Sequence, residues 1–126
     1  MRKLVVLGIL FLLFIGFGLY TEKALEKSSR QLVSQLKQVT KFVSEEEWAQ
    51  AETAFNLARE AWTDIESWWA LATDHEEIDE IALGMEKTKG LLAGKAKEDL
   101  LAELNALTYL IKHIPEKEKL TLSTLF

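Results

Sequence analysis

An uncharged, mostly apolar run of seventeen residues, Leu4 to Tyr20, constrains this chain more than any other feature. It follows Met1-Arg2-Lys3, and charge returns at Glu22. As a helix, the run is about 26 Å long at ~1.5 Å per residue, close to the ~30 Å hydrocarbon core of a bilayer. Tyr20 stands where an aromatic side chain favours the membrane interface. We therefore predict an uncleaved transmembrane anchor.

A cleavable signal peptide is the alternative, because secretion signals also begin with basic residues followed by an apolar core. Signal peptidases need small residues at an A-x-A-like site just after that core. The corresponding stretch here is bulky or charged, Gly18-Leu19-Tyr20-Thr21-Glu22-Lys23-Ala24. The chain also has no cysteine, which excludes disulfides, thiolate metal sites and a lipid anchor on cysteine. We favour the retained anchor.

Charge predicts the orientation and excludes one class of partner. Arg2 and Lys3 favour a cytoplasmic amino terminus by the positive-inside rule, although Lys23, Lys27 and Arg30 compete from the other side. The chain has 15 basic and 20 acidic residues, and every acidic residue follows the apolar run. A body of that charge repels nucleic acid and anionic lipid headgroups. We predict a single-pass cell-membrane protein with its bulk outside the cytoplasm and no nucleic-acid partner.

The remainder is predicted to be helical, because Ala, Leu, Glu and Lys dominate it and these residues are good helix formers. Apolar residues recur at alternating spacings of three and four, which is typical of a packed helix seam. They are Trp48, Ala51, Phe55, Ala58, Trp62, Ile65, Trp69 and Ala72, then Ile78, Ile81 and Met85, then Leu100, Leu104, Leu107, Ile111 and Ile114. The predicted fold class is all-α, an N-terminal transmembrane helix followed by an antiparallel three- to four-helix bundle.

Local signals predict where the helices end. Ser44 and Glu47 form a capping box, so a new helix is expected to start there. Gly90 or Gly94 is the expected left-handed terminator of the third bundle helix, and Pro115 is expected to stop the fourth. The predicted organisation is a cytoplasmic tail (1–3), the anchor (4–21), a loosely packed membrane-proximal helix (22–43), the bundle (44–115) and a C-terminal tail (116–126).

One stretch resembles a metal site. The run from His75 to Asp79 is one residue away from the H-E-x-x-H helix of zinc proteases, with Asp79 in place of the second histidine. His113, near the end of an antiparallel helix, is expected at the same end of the bundle. His75, Glu76, Asp79 and His113 can together supply ligands for zinc or another divalent ion. Because the motif lacks its second histidine, we interpret both histidines as structural and predict no enzyme and no cofactor. A divalent-metal or small-ligand sensing domain is the alternative.

Three residues are candidates for partner binding. Trp68 lies off the main seam, so it either widens the core or is exposed for recognition. Leu125 and Phe126 are the last residues of an apolar tail that begins at Leu120. Because so apolar a segment is unfavourable in water, we expect it to dock on the bundle or on a partner. Nine acidic residues and no basic one lie between Arg59 and Lys87. We interpret them as a solvated face, with a docking surface for a basic partner as the alternative.

Four features occur together in this chain: a short basic start before an apolar amino-terminal segment, the spacing Trp62-x5-Trp68, the run Trp69-Ala70-Leu71-x3-His75-Glu76-Glu77-Ile78-Asp79, and the ending Glu118-Lys119-Leu120-Thr121-Leu122-Ser123-Thr124-Leu125-Phe126. In these features the chain resembles a family of small single-pass membrane proteins of unknown function from Gram-positive spore-forming bacteria. The resemblance covers nearly the whole chain. It implies a membrane-associated helical protein and carries over no activity, cofactor or catalytic residue.

We therefore predict a membrane-anchored, extracytoplasmic binding or scaffolding module that acts through a protein partner or through self-association. Two observations on the fold would discriminate the alternatives. An exposed apolar or aromatic patch would favour the binding module, because partner surfaces bury such groups. An enclosed polar pocket would favour sensing.

Overall fold

Four helices joined by short loops make up the part of the protein that the structure describes. The computed structural model describes residues 1–125, without the side chains of residues 118–123 and 125. The helices are α1 (Arg2–Ser44), α2 (Trp48–Ala72), α3 (His75–Ala93) and α4 (Lys97–Leu125). Links of two or three residues make each helix antiparallel to the next. The predicted all-α fold class is confirmed.

The long helix α1 determines the architecture. Its apolar run is exposed and is, by length and composition, able to cross a membrane, a test that a signal sequence also passes. Its second part packs against both α2 and α4. The expected loose packing of residues 22–43 is wrong, because two helices cover the sparse apolar stripe. The buried residues of this part are Leu25, Ser29, Leu32, Val33, Leu36, Val39 and Val43.

The bundle has an up-down-up-down arrangement. Helices α1 and α3 each contact α2 and α4, so the four helices enclose one core. Two contacts fix the register of α1 against α4. Lys97 Nζ lies 3.6 Å from Glu46 Oε1, and Ser29 Oγ donates a hydrogen bond to the Ile111 carbonyl at 3.0 Å. We call the bundle end with Glu46 and Lys97 the distal end, and the end nearest the apolar run the proximal end.

Tryptophan rings fill the core where α2 meets α1. Trp69 is completely buried, and its ring stands edge-on to that of Trp62, with centroids 5.9 Å apart. Trp69 Nε1 donates to Ser28 Oγ at 2.9 Å, which provides the partner that a buried indole N–H needs. Most residues predicted for the main seam of α2 are buried, which confirms them. The exceptions are Trp48, Ile65 and Ala72, which are only half-buried. Every predicted core residue of α4 is 2% exposed or less: Leu100, Leu104, Leu107, Ile111 and Ile114.

The predicted helix start at Ser44 and the predicted left-handed glycine are wrong, although α3 does end where predicted, directly before Gly94. Ser44 is the last residue of α1 and donates to the carbonyl four residues before it, because the buried stripe of α1 continues through Val43. The left-handed backbone conformation falls on Glu46 (φ 59°) after α1 and on Lys95 (φ 53°) after α3. Gly94, which follows α3, has an ordinary φ of −84°.

The predicted stop at Pro115 is also wrong, because α4 continues through this buried proline to Leu125. A proline has no N–H for the carbonyl four residues before it, which here is that of Ile111. The Ser29 hydroxyl donates to that carbonyl from α1. A neighbouring helix thus supplies the hydrogen bond that the proline removes. The segment predicted as a C-terminal tail is therefore helical as far as Leu125.

Candidate functional site

An open groove of about 470 Å³ runs between α1 and α2 in the distal half of the bundle. Phe42 and Ala54 in its lining pack against the hydrophobic core, whereas Leu57 is 55% exposed. The groove therefore connects the core with an exposed leucine. Its lining residues are Gln35, Gln38 and Phe42 from α1, and Ala49, Gln50, Thr53, Ala54 and Leu57 from α2.

The groove is uncharged, since every lining residue is apolar, an amide or a threonine. One of its polar atoms stands out. Gln35 Oε1 is buried and accepts no hydrogen bond from the part of the chain that the structure describes. An unpaired buried acceptor costs about 1–3 kcal/mol, so a donor brought by a bound molecule would relieve that cost.

The groove also lies far from the apolar run. Gln35 and Phe42 follow Glu22 by 13 and 20 residues along the same unbroken helix. At 1.5 Å per residue, these positions are about 20 and 30 Å beyond the point where charge returns. Whatever surrounds the apolar run, the groove is held well clear of it.

Sequence reasoning missed this groove, although a signal for it exists. Beside its main seam, α2 carries a second uncharged stripe at spacings i, i+3, i+4 and i+7, formed by Gln50, Thr53, Ala54 and Leu57. Such a stripe lies on one helix face. Amides, threonine and alanine scarcely raise the hydrophobicity of a face, so a search for apolar periodicity passes over it.

A charged cluster occupies the proximal end. Lys117 Nζ donates to Glu77 Oε1 at 3.0 Å and to Asp74 Oδ2 at 3.1 Å, and Thr73 Oγ1 donates to Glu77 Oε2 at 2.8 Å. The hydrogen bond to Glu77, followed by that to Asp74, raises the pKa of Lys117 from 10.5 to about 12. A raised lysine pKa contributes stability below pH 10.5 that is lost as the pH rises through 12. This lysine therefore adds no pH dependence near neutrality.

The predicted metal residues are only partly brought together. Glu76 and His113 line one small cleft of about 220 Å³ together with Lys117. The ring of His113 stacks on that of Tyr109, with ring centroids 5.8 Å apart. His75 and Asp79 are exposed residues outside the lining of that cleft. Within the described part of the chain, no three His, Asp or Glu side chains form a group able to hold a metal ion. The positive charge between the carboxylates is instead the Lys117 ammonium.

The predicted partner-binding residues have separate positions. Trp68 is half-buried and stands edge-on to Trp69, with ring centroids 6.4 Å apart, so it extends the core of the bundle. Leu125 is the last residue of α4, and Phe126 lies outside the described residues. Trp68 does not line the distal groove.

These features define an all-α bundle protein that carries one helix able to span a membrane, with an uncharged groove at a distance from it. The family can be stated as well. Residues 19–125 match the family described as a domain of unknown function, DUF4363, and the chain belongs to that family. The match includes the bundle and α4 as far as its last residue, so the extension of α4 beyond Pro115 is part of the family domain. No curated protein and no solved structure matches the chain.

Proposed function

We propose that this protein is a membrane-anchored, extracytoplasmic helical module that binds a protein partner through the groove between α1 and α2. The observation that carries the proposal is the groove itself, an open and uncharged surface on a chain of net charge −5. An open, uncharged surface that includes the partly buried Phe42 and the exposed Leu57 fits a binding module better than the enclosed polar pocket expected of a sensor.

The shape and chemistry of the groove favour a segment of another protein as its occupant. A channel between two antiparallel helices accepts the apolar ridge of a third helix, as in helix-in-groove recognition. Phe42 and Leu57 offer apolar contacts, and Gln35 offers an unpaired acceptor. A partner segment with apolar side chains and one hydrogen-bond donor could pack against Phe42 and Leu57 and donate to Gln35.

The apolar run supports the membrane anchor. Most of its large side chains, from Leu4 to Tyr20, are exposed on the folded protein. A continuous apolar surface of that size is costly in water and favourable in lipid. Arg2 and Lys3 at its amino-terminal end support a cytoplasmic location for that end and an extracytoplasmic location for the bundle.

Site-specific photocrosslinking in intact membranes tests the groove. A photoreactive amino acid at Leu57, in the groove, is compared with one at Leu83, which lies on α3 and is equally exposed, at 57% against 55%. We expect adducts with another protein at position 57 and none at position 83. We also expect Gln35→Leu to weaken the adduct at position 57. Equal adducts at both positions, or none at either, would contradict a binding role for this groove.

Cysteine labelling tests the topology, because the chain has no cysteine of its own. Asn56→Cys places one thiol on an exposed position of α2. In intact cells, a membrane-impermeant maleimide is expected to label it without lysis, and the mass of the protein is expected to include the apolar run. Labelling only after lysis would show that the bundle lies in the cytoplasm. A mass that lacks residues 1–20 would show that the apolar run is a cleaved signal peptide.

A further inference from the structure

Helix α4 extends far beyond the point where it is tied to α1. The hydrogen bond between Ser29 and Ile111 sets these residues at one level of two antiparallel helices. From Ile111, α4 continues for 14 residues to Leu125, about 21 Å at 1.5 Å per residue. The same distance along α1 leads from Ser29 to Ile15, inside the apolar run. The last turns of α4 therefore reach the level of the last turns of that run.

Charge ends at the same level on both helices. Towards the proximal side, the last charged residue of α1 before the run is Glu22, seven residues from Ser29. The last charged residue of α4 is Lys119, eight residues from Ile111. The two limits differ by one residue, or about 1.5 Å along the axis. Two helices that enter the same apolar medium are expected to lose their charges at one level, because a charge is costly there.

The boundary is well defined on both sides. Above it, α4 carries alternating charges at Lys112, Glu116, Lys117, Glu118 and Lys119, and α1 carries Glu22, Lys23, Glu26, Lys27 and Arg30. Below it, Leu120 to Leu125 of α4 is as free of charge as the run of α1. Length alone does not distinguish this stretch, since residues 104–111 of the same helix are uncharged as well. What distinguishes it is its place, beyond the last charges of both helices and at the level of the apolar run of α1.

We infer that the final turns of α4, from Leu120 onward, enter the membrane interface beside α1, so that two helices hold the bundle to the bilayer. The inference rests on the membrane anchor proposed above. From Leu120 to Leu125 the helix rises about 7.5 Å, far short of a span and within the ~5–10 Å depth to which interfacial helices bury their apolar faces. An α-helix suits this position because most of its backbone groups are paired internally.

Fluorescence of single-cysteine variants tests this placement in the full-length chain. Each variant is labelled with the environment-sensitive dye NBD and reconstituted into phosphatidylcholine vesicles, with or without doxyl-labelled lipid as a quencher. Thr124→Cys probes the end of α4. Ala106→Cys, an exposed position of the same helix about 27 Å away, is the control for water, and Leu12→Cys in the apolar run is the control for lipid.

We expect the emission at position 124 to shift to the blue and to lose intensity when doxyl lipid is present, as at position 12, with neither change at position 106. Quenching at position 12 but not at position 124 would overturn the inference while leaving the anchor intact. A blue shift at 124 without lipid quenching would also overturn it, by showing that the segment packs on protein alone. No quenching at position 12 or 124 would overturn both the anchor and this inference.

Discussion

At the scale of single residues, the contact between Ser29 and Ile111 explains how a proline is tolerated inside α4. Pro115 lacks the N–H that would pair with the Ile111 carbonyl, and the Ser29 hydroxyl replaces it at 3.0 Å. Ser29 is one of two buried polar residues, with Thr88, that the described residues place in the core. The hydroxyl thus has a structural role that its burial alone would not reveal.

A double-mutant cycle measures that role. Ser29→Ala is expected to lower the free energy of unfolding by about 1–3 kcal/mol, because it leaves a buried carbonyl unpaired. In a Pro115→Ala background, the restored N–H at position 115 pairs with that carbonyl, and the cost of Ser29→Ala is expected to fall below about 1 kcal/mol. Denaturant unfolding of the full chain in detergent gives all four values. Equal costs in the two backgrounds would contradict the replacement.

The tryptophan core gives a second prediction at this scale. Trp69→Ala is expected to cost about 3–5 kcal/mol, because it opens a cavity and removes the indole N–H that donates to the Ser28 hydroxyl. The control is Leu71→Ala, a large-to-small change two residues away at a position that is 90% exposed, which is expected to change stability by no more than about 0.5 kcal/mol. Thermal midpoints of the two variants check this. Similar midpoints would mean that the buried face of α2 is misassigned.

At the scale of helices, α3 and α4 approach closely at Gly84. A Cβ at that position would stand 2.8 Å from Leu107 Cδ1, in the completely buried part of α4. At Gly90, on the same helix, a Cβ would meet no atom within 4 Å. The two glycines of α3 therefore have different roles, since one permits packing and the other only lowers helix propensity.

This difference predicts opposite effects of the same substitution. Gly90→Ala is expected to raise stability by about 0.5–1 kcal/mol through higher helix propensity. Gly84→Ala gains the same propensity but forces Leu107 to shift in a packed interior, at a cost of about 1–3 kcal/mol, so it is expected to destabilise the protein. Unfolding midpoints measured side by side are sufficient. Stabilisation by both changes would show that the α3–α4 interface is looser than described.

Helix number and core faces were predictable from the sequence, as was the end of α3 at Gly94, but the helix boundaries at Ser44 and Pro115 were not. The three-four spacing from Phe55 to Trp69 and from Leu100 to Ile114 depends only on local order, and its residues are buried as expected apart from the half-buried Ile65. The ends at Ser44 and Pro115 depend on what packs against them. The helix continues past Pro115 because the hydroxyl of Ser29, 86 positions earlier in the chain, pairs with the carbonyl that the proline leaves free. No local sequence pattern contains that information.

At the scale of the whole molecule, the bundle has two different ends. The distal half carries the uncharged groove, whereas the proximal end carries the cluster of Lys117, Asp74 and Glu77. The sequence correctly predicted that His113 lies near the start of α3, because the end of α4 lies beside the start of α3 when the two helices are antiparallel. It could not predict Lys117 there, since α4 was expected to end at Pro115. The groove was missed because its lining is neither charged nor strongly apolar.

A metal titration tests whether the histidines have a role beyond structure. Zinc bound at a hundred times its dissociation constant would stabilise the folded chain by about 2.7 kcal/mol. Because Lys117 already balances the nearby carboxylates, we expect no zinc-dependent rise in the thermal midpoint of the full chain in detergent, and none with manganese. A rise that chelator reverses, and that both His75→Ala and His113→Ala abolish, would instead establish a site with Glu76 and Asp79.

The unbroken course of α1 has a mechanical consequence for a chain anchored as proposed. From Glu22 to Ser44 the helix extends about 33 Å with no joint between the membrane and the bundle. Transmembrane helices tilt by about 20° on average, and their packing and interfacial anchors set the angle. A lever of this length converts such a tilt into a sideways displacement of about 11 Å at its far end. The tilt of the apolar run would thus set where the groove beside Phe42 meets its partner.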